Sequence, residues 1–595
     1  MYRLTSKTNI TTDDFLDVIL GNRGIADKER FLEPKANDLI PYSKLHNIDK
    51  AVALFKAIEE KGRTGEKVNV AVIVDSDIDG NTSSAILTSY IEKLFSHSMN
   101  LYHFLHKGKE HGITDYMLEK ILRLNENIGV DLLIVPDAGT SDYEQQKKIS
   151  KENDIPILVL DHHEAESGES EYAIVVNNQL SPEYPNKALS GVGVVYKFLQ
   201  ALDEAYIEDL ADEYLDLVAL GNISDAMDLT SPETRYLVYK GLASIKNKFL
   251  KEIILKQLGS LKRAYPISLS FSVIPKMNGV IRVGKDEEKL DLFKAFVGVE
   301  ETHYNTRSKK NETLPQKVTR MCINAHKRQR TIREKWVAKI KKQIEERKLN
   351  ENEFLLIELG SDFDRDLSGY LAGTLASEYR KPTLMLIWDE EKKSYTGSLR
   401  GFDGMMKNTK DFLMALDLFE TIAGHQNACG FSIKRDALFN LNGAVNKAVR
   451  EQGLNNGQAY NVDFYLTPEQ LNVDLIDEVY EYEYLWGKGA ERPLFAVDVQ
   501  LDTRDIVTSN SSSTIKWANN GIDFVQFSGD RRLLELKKDG HKVRVTLVGS
   551  LGINYFLGKS TPQFLIEDLS VGELITEDEK IEKKKVDDLD DLFDW

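Results

Sequence analysis

An acid followed by two adjacent imidazoles is the stretch of this chain whose residue types most directly suggest chemistry. Asp161, His162 and His163 come directly after the apolar run 155–160. If that run is a strand, the three side chains project from a rigid edge, where α/β sheets usually place their binding sites. Carboxylate and imidazole groups both bind divalent metals. The triplet alone also fits one surface histidine and one core histidine, because adjacent residues on a strand end point to opposite faces.

Further carboxylates end other apolar segments of the chain in the same way. The carboxyl ends of parallel strands meet at one edge of a sheet, so we expect these acids to lie close together. The segment before the last of them is compatible with either a helix or a strand. The acids are Asp75, Asp77 and Asp79 after the run 68–74, Asp137 after the run 131–136, and Asp225 soon after the segment 215–220.

A cluster of carboxylates is unfavourable without a cation, because like charges a few ångströms apart cannot all stay ionised. A divalent metal removes that conflict. Oxygen ligands with one imidazole favour Mn²⁺ or Mg²⁺, whereas zinc sites usually use thiolates or several histidines. The pattern therefore predicts a manganese or magnesium centre.

In the order of these motifs the chain resembles the DHH phosphoesterase superfamily and, within it, the RecJ-like single-strand-specific DNA exonucleases. Four ordered motifs carry the resemblance, together with a later block of glycine and histidine. Ile73 lies where some relatives carry a histidine, which leaves the metal preference open. The matching segments are 22–25, 31–34, 75–87, 137–140, 161–163, 189–194, 219–225, 275–279, 397–400 and 424–430.

The resemblance implies two Mn²⁺ or Mg²⁺ ions that cleave a phosphodiester bond, with Asp137 as the bridge between them. His163 would touch a phosphoryl oxygen or hold a metal-bound water, and Asp161 would orient a histidine or a turn amide. We expect Asp79 to cap a helix rather than bind metal, because it precedes Gly80 at a helix start. The expected metal ligands are Asp75, Asp77, Asp137, His162 and Asp225, and with His163 they form the expected catalytic set.

The resemblance also implies a second group of residues that bind the nucleotide. Arg400 can hold a phosphate with two parallel hydrogen bonds, although a surface ion pair is the alternative. Asn278 and Arg282 are weaker candidates, because the block around them departs from the family pattern. We interpret His103, His106 and His111 as structural, because they lie outside the strand ends, whereas Lys107 lies near a position where the family often has arginine. The expected substrate-binding residues are Ser398, Arg400, Gly424, His425, Asn278 and Arg282.

The net charge of −18 is unusual for a DNA-binding protein, so the distribution of charge matters more than the sum. Residues 303–348 carry fifteen lysines and arginines against four glutamates. From Val318 onward, apolar residues recur every three to four positions, which predicts one long helix. The two interpretations are a basic wall along the path of a DNA strand and a charged helix exposed to solvent.

Composition suits a protein with several domains. A length of 595 residues predicts three or four domains. There is no run of 18 apolar residues and no signal peptide, so we expect a soluble cytoplasmic protein with no membrane contact. The two cysteines, Cys322 and Cys429, suit a reducing compartment and argue against a disulfide scaffold.

The expected fold class is α/β: a DHH phosphoesterase domain with a parallel sheet, a long helical connector, a second α/β domain and a small C-terminal β-barrel resembling the oligonucleotide-binding (OB) fold. Strands are predicted at 354–358 and 383–387 in the second α/β domain. The predicted divisions are an N-terminal extension at 1–55, the DHH catalytic domain at 56–255, the basic helical connector at 256–350, the DHH-associated substrate-binding domain at 351–455, the OB-like domain at 456–575 and a disordered acidic tail at 576–595.

The resemblance implies a two-metal exonuclease for single-stranded DNA that works 5′ to 3′ and releases 5′-mononucleotides in repair, recombination or replication. One alternative is a catalytically weak DNA-binding scaffold of a replication complex with the same fold. Another is a phosphodiesterase for oligonucleotides or small nucleotides, although the length and the region beyond residue 456 favour a polymer substrate. We expect a monomer whose acidic tail docks a single-strand-binding protein or a sliding clamp.

Overall fold

The computed structural model describes residues 2–4, 15–108, 110–165, 168–360, 363, 365–454, 460–508, 514–527, 533–534, 537, 540–556 and 559–574. The predicted tail at 576–595 lies outside the described residues. Among the described residues, none of the helices has the length and apolar character needed to cross a membrane.

Helices occur along most of the chain, and in its first half they alternate with short strands. The α-helices are α1 (Phe15–Asn22), α2 (Lys28–Leu32), α3 (Ile48–Thr64), α4 (Ile78–Phe95), α5 (Asp115–Ile128), α6 (Tyr143–Asn153), α7 (Gly191–Tyr206), α8 (Leu215–Ser224), α9 (Pro232–Ala243), α10 (Lys248–Leu258), α11 (Pro266–Ser268), α12 (Ile274–Val283), α13 (Asp286–Val297), α14 (Leu314–Glu346), α15 (Ser368–Tyr379), α16 (Thr409–Met414), α17 (Arg435–Glu451) and α18 (Val473–Glu481).

Strands dominate the last third of the chain. The β-strands are β1 (Tyr2–Leu4), β2 (Val68–Val74), β3 (Met99–Leu105), β4 (Leu132–Pro136), β5 (Ile157–Asp161), β6 (Ile174–Asn177), β7 (Thr302–Asn305), β8 (Lys310–Thr313), β9 (Leu355–Leu359), β10 (Thr383–Asp389), β11 (Ser394–Arg400), β12 (Thr421–His425), β13 (Ala428–Lys434), β14 (Tyr460–Val462), β15 (Phe464–Leu466), β16 (Phe495–Asp502), β17 (Val507–Thr508), β18 (Ile515–Asn519), β19 (Ile522–Gln526), β20 (Lys542–Phe556) and β21 (Lys559–Leu574).

The chain forms two compact units. The first unit comprises residues 25–330 and 484–491, and the second comprises residues 1–24, 331–483 and 492–595. The six-domain division remains a prediction.

The first unit contains the predicted parallel sheet. Its five strands lie in the order β3-β2-β4-β5-β6, and every neighbouring pair is parallel. Strand β2 buries side chains on both faces, since Val70 and Val72 join one apolar cluster and Ala71 and Ile73 join another. This burial explains why the strands read as continuous apolar runs. The segment before Asp225, which fitted either a helix or a strand, is helix α8.

The second unit contains two larger sheets. The first has the order β12-β13-β11-β10-β9, and the second has the order β15-β16-β20-β21-β19-β18-β17. Pro382 directly precedes β10, an interior strand, so the proline lies outside the ladder as its missing N–H requires. Trp517 and Phe524 are buried and stack at 5.2 Å, whereas Phe527 is 69% exposed.

The predicted long helix is α14, which begins four residues earlier than expected. Its apolar stripe is buried at Met321, Ala325, Ile340 and Ile344. Several of its cations are neutralised by carboxylates, so its positive field is weaker than the count of basic residues suggests. Within the first unit these pairs are Lys317 with Asp291 at 2.8 Å, Arg320 with Glu312, and Arg328 with Glu288 at 2.6 Å.

Candidate metal centre

The turn from β2 to α4 positions the first group of acids. Asp75 is buried directly after the strand, and its Oδ1 accepts a hydrogen bond of 3.0 Å from the backbone N–H of Gly112. Asp77 caps α4, because its Oδ1 accepts a hydrogen bond of 2.9 Å from the N–H of Gly80. The prediction that Asp79 caps this helix was therefore wrong. The helix begins at Ile78, two residues earlier than that prediction required.

Asp79 is buried against the N-terminus of α7. Its Oδ2 accepts a hydrogen bond of 2.7 Å from the N–H of Gly191, and its Oδ1 accepts one of 3.2 Å from the N–H of Val192 and one of 3.1 Å from Ser190 Oγ. A helix N-terminus stabilises a carboxylate through its unpaired N–H groups and its dipole. His162 Nε2 lies 4.0 Å from Asp79 Oδ2, so Asp79 belongs to the acidic cluster.

Asp137 lies at the centre of the cluster in a strained conformation. Its φ of +63° is unusual for a residue with a side chain. Its backbone N–H donates to the carbonyl of Leu160 at 2.8 Å, which fixes it beside the end of β5. Its Oδ1 is buried and accepts no hydrogen bond from the described residues, although His162 Nε2 lies 3.3 Å away. A buried carboxylate oxygen without a hydrogen bond is suited to bind a cation.

The three residues of the Asp-His-His triplet make different contacts. Asp161 Oδ1 accepts hydrogen bonds from the backbone N–H of His162 at 2.7 Å and from His163 Nδ1 at 2.8 Å. Asp161 Oδ2 accepts from Thr140 at its N–H and at its hydroxyl, at 3.1 and 2.6 Å. Asp161 thus holds both histidines by their backbone or ring, while His162 turns into the acids and the side chain of His163 stays 55% exposed.

Asp225 completes the group from the C-terminus of α8. Its N–H donates to the carbonyl of Gly221 at 3.0 Å, and its Oδ2 lies 3.5 Å from His162 Nε2. His162 therefore faces three carboxylates, those of Asp79, Asp137 and Asp225.

The crowding of the acids is visible in their pKa values. Burial, and then the charge of Asp77, raises the pKa of Asp79 to about 6. Burial, and then the charges of Asp79 and Asp77, raises the pKa of Asp225 to about 8. Burial and the charges of its four acidic neighbours raise the pKa of Asp137 well above its usual range. Burial also raises the pKa of Asp75. A cation among these groups would stabilise their ionised forms.

The pKa values of Asp161 and His163 move as those of an ion pair. Burial acts to raise the pKa of Asp161, but the hydrogen bonds and charges of the two histidines hold it well below its usual range. Burial acts to lower the pKa of His163, but its bond to Asp161 and the nearby acids raise it to about 9. His163 is therefore an imidazolium at neutral pH when no cation is bound.

The donor atoms suit the expected ions. Within each of three groups, the potential ligand atoms lie within 4.8 Å of one another: Asp137 with His162 and His163, Asp79 with His162 and Asp225, and Asp75 with Asp77 and His111. Carboxylate oxygens with imidazole nitrogen favour Mn²⁺ and also accept Mg²⁺. Three residues, Asp79, His111 and His163, enter these groups although other roles were predicted for them from the sequence.

His103 and His111, two of the three histidines at and just after β3, make different contacts. His103 Nε2 lies 2.9 Å from Thr88 Oγ1, and the ring packs on Phe293, which fits the structural role predicted for it. His111 does not fit that role, because its Nδ1 lies 2.5 Å from Asp75 Oδ2. His111 lies in a loop, so neither hydrophobic periodicity nor a strand end marks it in the sequence. Its position beside Gly112 was the available indication of a functional role.

The substrate-binding candidates occupy two different units. Arg400 and His425 lie on β11 and β12, and both pair in register with Ala428 on the strand between them. Ser398 shares a hydrogen bond of 2.8 Å with Ser368, and Gly424 has a φ of +121°. Asn278 and Arg282 lie in the first unit on α12, where Ile281 borders a small cavity shared with Asp75 and His106.

Known proteins resemble this chain over most of its length. The model of the DHH family, N-terminal domain, matches residues 69–222, and that of the RecJ OB domain matches residues 462–568. The chain is 36% identical over 583 residues to YorK of Bacillus subtilis, named as an SPbeta prophage-derived single-strand DNA-specific exonuclease, covering 96% of this chain and 98% of that one. It is 25% identical over 529 residues to the single-stranded-DNA-specific exonuclease RecJ of Bacillus subtilis, covering 86% of this chain and 62% of that one.

A solved structure has the same fold. The crystal structure of RecJ from Thermus thermophilus in complex with Mn²⁺ aligns with a TM-score of 0.68 at 20% identity, covering 96% of this chain and 80% of that one. The same protein in complex with Mg²⁺ aligns with a TM-score of 0.62 at 18% identity, covering 96% and 78%. The fold, the family models and the extent of the match to YorK lead to one conclusion: the chain belongs to the RecJ-like single-strand-DNA-specific exonucleases of the DHH superfamily.

Proposed function

We propose that this chain uses two Mn²⁺ or Mg²⁺ ions to remove nucleotides from single-stranded DNA, working 5′ to 3′ and releasing 5′-mononucleotides. The observation that supports metal dependence is the burial of Asp137 among four other carboxylates, with an oxygen that accepts no hydrogen bond from the described residues. The retention of all the acids weighs against a catalytically weak scaffold. The direction of cleavage rests on family membership alone.

The ligand residues divide the chemical work. Bound ions would lower the pKa of an attacking water and stabilise the leaving sugar oxygen. Asp75 and Asp77 would hold one position, and His162 and Asp225 the other, with Asp137 between them. Asp79 joins the second position in this proposal, because its Oδ2 and the donor atoms of His162 and Asp225 lie together. Their rigid placement is provided by β2, β5 and α8.

His163 would contact the substrate phosphate. Asp161 engages its Nδ1, so Nε2 points away from that carboxylate and can donate a hydrogen bond to a phosphoryl oxygen. Its hydrogen bond with Asp161 favours the protonated ring, and a charged donor forms a stronger hydrogen bond with a phosphoryl oxygen. Asp161 would therefore act through His163 rather than on the substrate.

Residues of the second unit would bind the nucleotide. Arg400 offers a planar guanidinium suited to a phosphate, and Ser398 lies two residues away on the same strand. Gly424 and His425 belong to the adjacent block of β12 and β13. Asn278 and Arg282 on α12 are the corresponding candidates in the first unit. We further propose a cytoplasmic monomer that acts in repair, recombination or replication and recruits partners through residues 576–595.

The test is an assay of the purified full chain with single-stranded DNA labelled at the 5′ or the 3′ end. With Mn²⁺ present, we expect the 5′ label to appear at once as a mononucleotide, while the 3′-labelled strand shortens gradually. Chelation should stop both reactions. Undiminished cleavage without metal would overturn the two-ion proposal, and early release of the 3′ label would overturn the direction.

A further inference from the structure

The loop between β3 and α5 brings an imidazole against one of the buried acids. His111 Nδ1 lies 2.5 Å from Asp75 Oδ2, while the next residue, Gly112, donates its N–H to Asp75 Oδ1 at 3.0 Å. The loop is fixed on its other side, because the N–H of Ile113 donates to Asp142 Oδ2 at 2.7 Å. Each carboxylate oxygen of Asp75 is therefore in hydrogen-bond contact with a nitrogen of this loop.

We infer that His111 is a metal ligand, together with Asp75 and Asp77. Their potential ligand atoms lie within 4.8 Å of one another, close to the limit of about 4.4 Å for two atoms that are each about 2.2 Å from a common ion. His162 belongs instead to the groups of Asp137, Asp79 and Asp225. Each ion position then has its own imidazole. This inference rests on the two-ion centre of the proposed function and adds a ligand to it.

A second histidine lies beside Asp75 in the protein interior. The His106 side chain is fully buried, and neither ring nitrogen has a hydrogen-bond partner among the described residues. Its Nε2 lies 3.5 Å from Asp75 Oδ1, whereas His111 faces Oδ2.

An imidazole at each position changes which ion the centre prefers. Mg²⁺ favours oxygen ligands and gains little from nitrogen, whereas Mn²⁺ binds imidazole more readily. The His111 ligand therefore increases the preference of this chain for Mn²⁺ over Mg²⁺. Its loss should affect one of the two ions and leave the other bound.

The experiment compares the full chain with the variants His111→Gln and His97→Gln. Mn²⁺ affinity is measured by titration calorimetry, alone and in competition with Mg²⁺, and ¹⁴N coupling to bound Mn²⁺ is measured by pulsed electron paramagnetic resonance. The side chain of His111 is 55% exposed, so the substitution should leave the fold intact. His97 is a matched control, since its side chain is 59% exposed and it lies beside Glu59 rather than an acid of the cluster.

We expect His111→Gln to lose one ¹⁴N coupling and to weaken Mn²⁺ binding at one position by about 10- to 100-fold. The preference for Mn²⁺ over Mg²⁺ should fall with it, and His97→Gln should match the wild type. If the wild type binds two ions and His111→Gln keeps every ¹⁴N coupling and both affinities, this inference is wrong and the proposed function stands. If the wild type binds neither Mn²⁺ nor Mg²⁺, both are wrong.

Discussion

Gly191 lies so close to Asp137 that a β-carbon at residue 191 would stand 2.1 Å from Asp137 Oδ1. The contact brings the start of α7 against the central acid of the cluster, and the N–H of Gly191 also binds Asp79. The two residues are 54 positions apart in sequence, so the tertiary fold alone sets their distance.

Replacing Gly191 with alanine should displace Asp137, because the new methyl group cannot occupy the space of a carboxylate oxygen. We expect Mn²⁺ affinity and exonuclease activity to fall together, by at least about 10-fold. Gly443→Ala is the matched control, since Gly443 lies in helix α17 and a β-carbon there would have nothing within 4 Å. That change should stabilise the chain by about 0.5 to 1 kcal/mol and leave activity unchanged. Full activity in Gly191→Ala would contradict the prediction.

Asp137→Asn should abolish cleavage and stabilise the metal-free protein. Burial and four neighbouring acids raise the pKa of Asp137, so the metal-free folded state loses stability as pH rises above the pKa of the unfolded chain. An amide removes that loss, and thermal unfolding at pH 8 with chelator should give a higher Tm than the wild type. Cleavage should fall by at least about 100-fold, because a ligand matters more than a residue that only supports one. A lower Tm and retained cleavage would both argue against the central role of Asp137.

Mn²⁺ binding should strengthen from pH 6 to pH 8. Asp79 and Asp225 have pKa values of about 6 and 8, so both are partly protonated in this range without metal. Binding must expel those protons, and each proton released increases affinity by up to about tenfold per pH unit. Calorimetry in two buffers of different ionisation enthalpy counts the protons directly. An affinity independent of pH, with no proton release, would show that the acids are already ionised.

Arg400→Ala should weaken DNA binding without changing the metal centre. The loss of a charge-assisted hydrogen bond to phosphate costs about 1.5 to 3 kcal/mol, which corresponds to roughly a 10- to 100-fold rise in KM. Mn²⁺ affinity should stay at the wild-type value, because a guanidinium has no free lone pair with which to bind the ion. Arg450→Ala, an exposed arginine of α17, serves as the control. An unchanged KM in Arg400→Ala would remove this residue from the substrate-binding group.

The sequence predicted the metal centre best where an acid follows a strand. Uninterrupted apolar runs before Asp75, Asp137 and Asp161 predict strands of a sheet buried on both faces, and parallel strands bring their ends together. The direction in which each side chain points was harder to predict from the sequence. His162 and His163 are adjacent, and only the hydrogen bonds of Asp161 determine which of them turns inward.

Two features lay beyond pattern reasoning for physical reasons. Asp77 rather than Asp79 caps helix α4 because the helix begins two residues earlier than expected, a difference within the usual uncertainty of helix ends. His111 reaches Asp75 from a loop whose course depends on Asp142, far away in sequence. Nothing local in a sequence encodes such a contact.

The metal centre depends on close backbone approach at three glycines as well as on its ligand side chains. A β-carbon at Gly80, Gly191 or Gly221 would meet Asp75, Asp137 or Asp79 at 2.5, 2.1 or 2.3 Å. Each glycine thus allows a helix backbone to approach one acid more closely than a residue with a side chain would permit. A diverged chain could keep every carboxylate and still lose its ions if one of these glycines were replaced by alanine. The three glycines together with the acids are therefore a better indicator of a working enzyme than the acids alone.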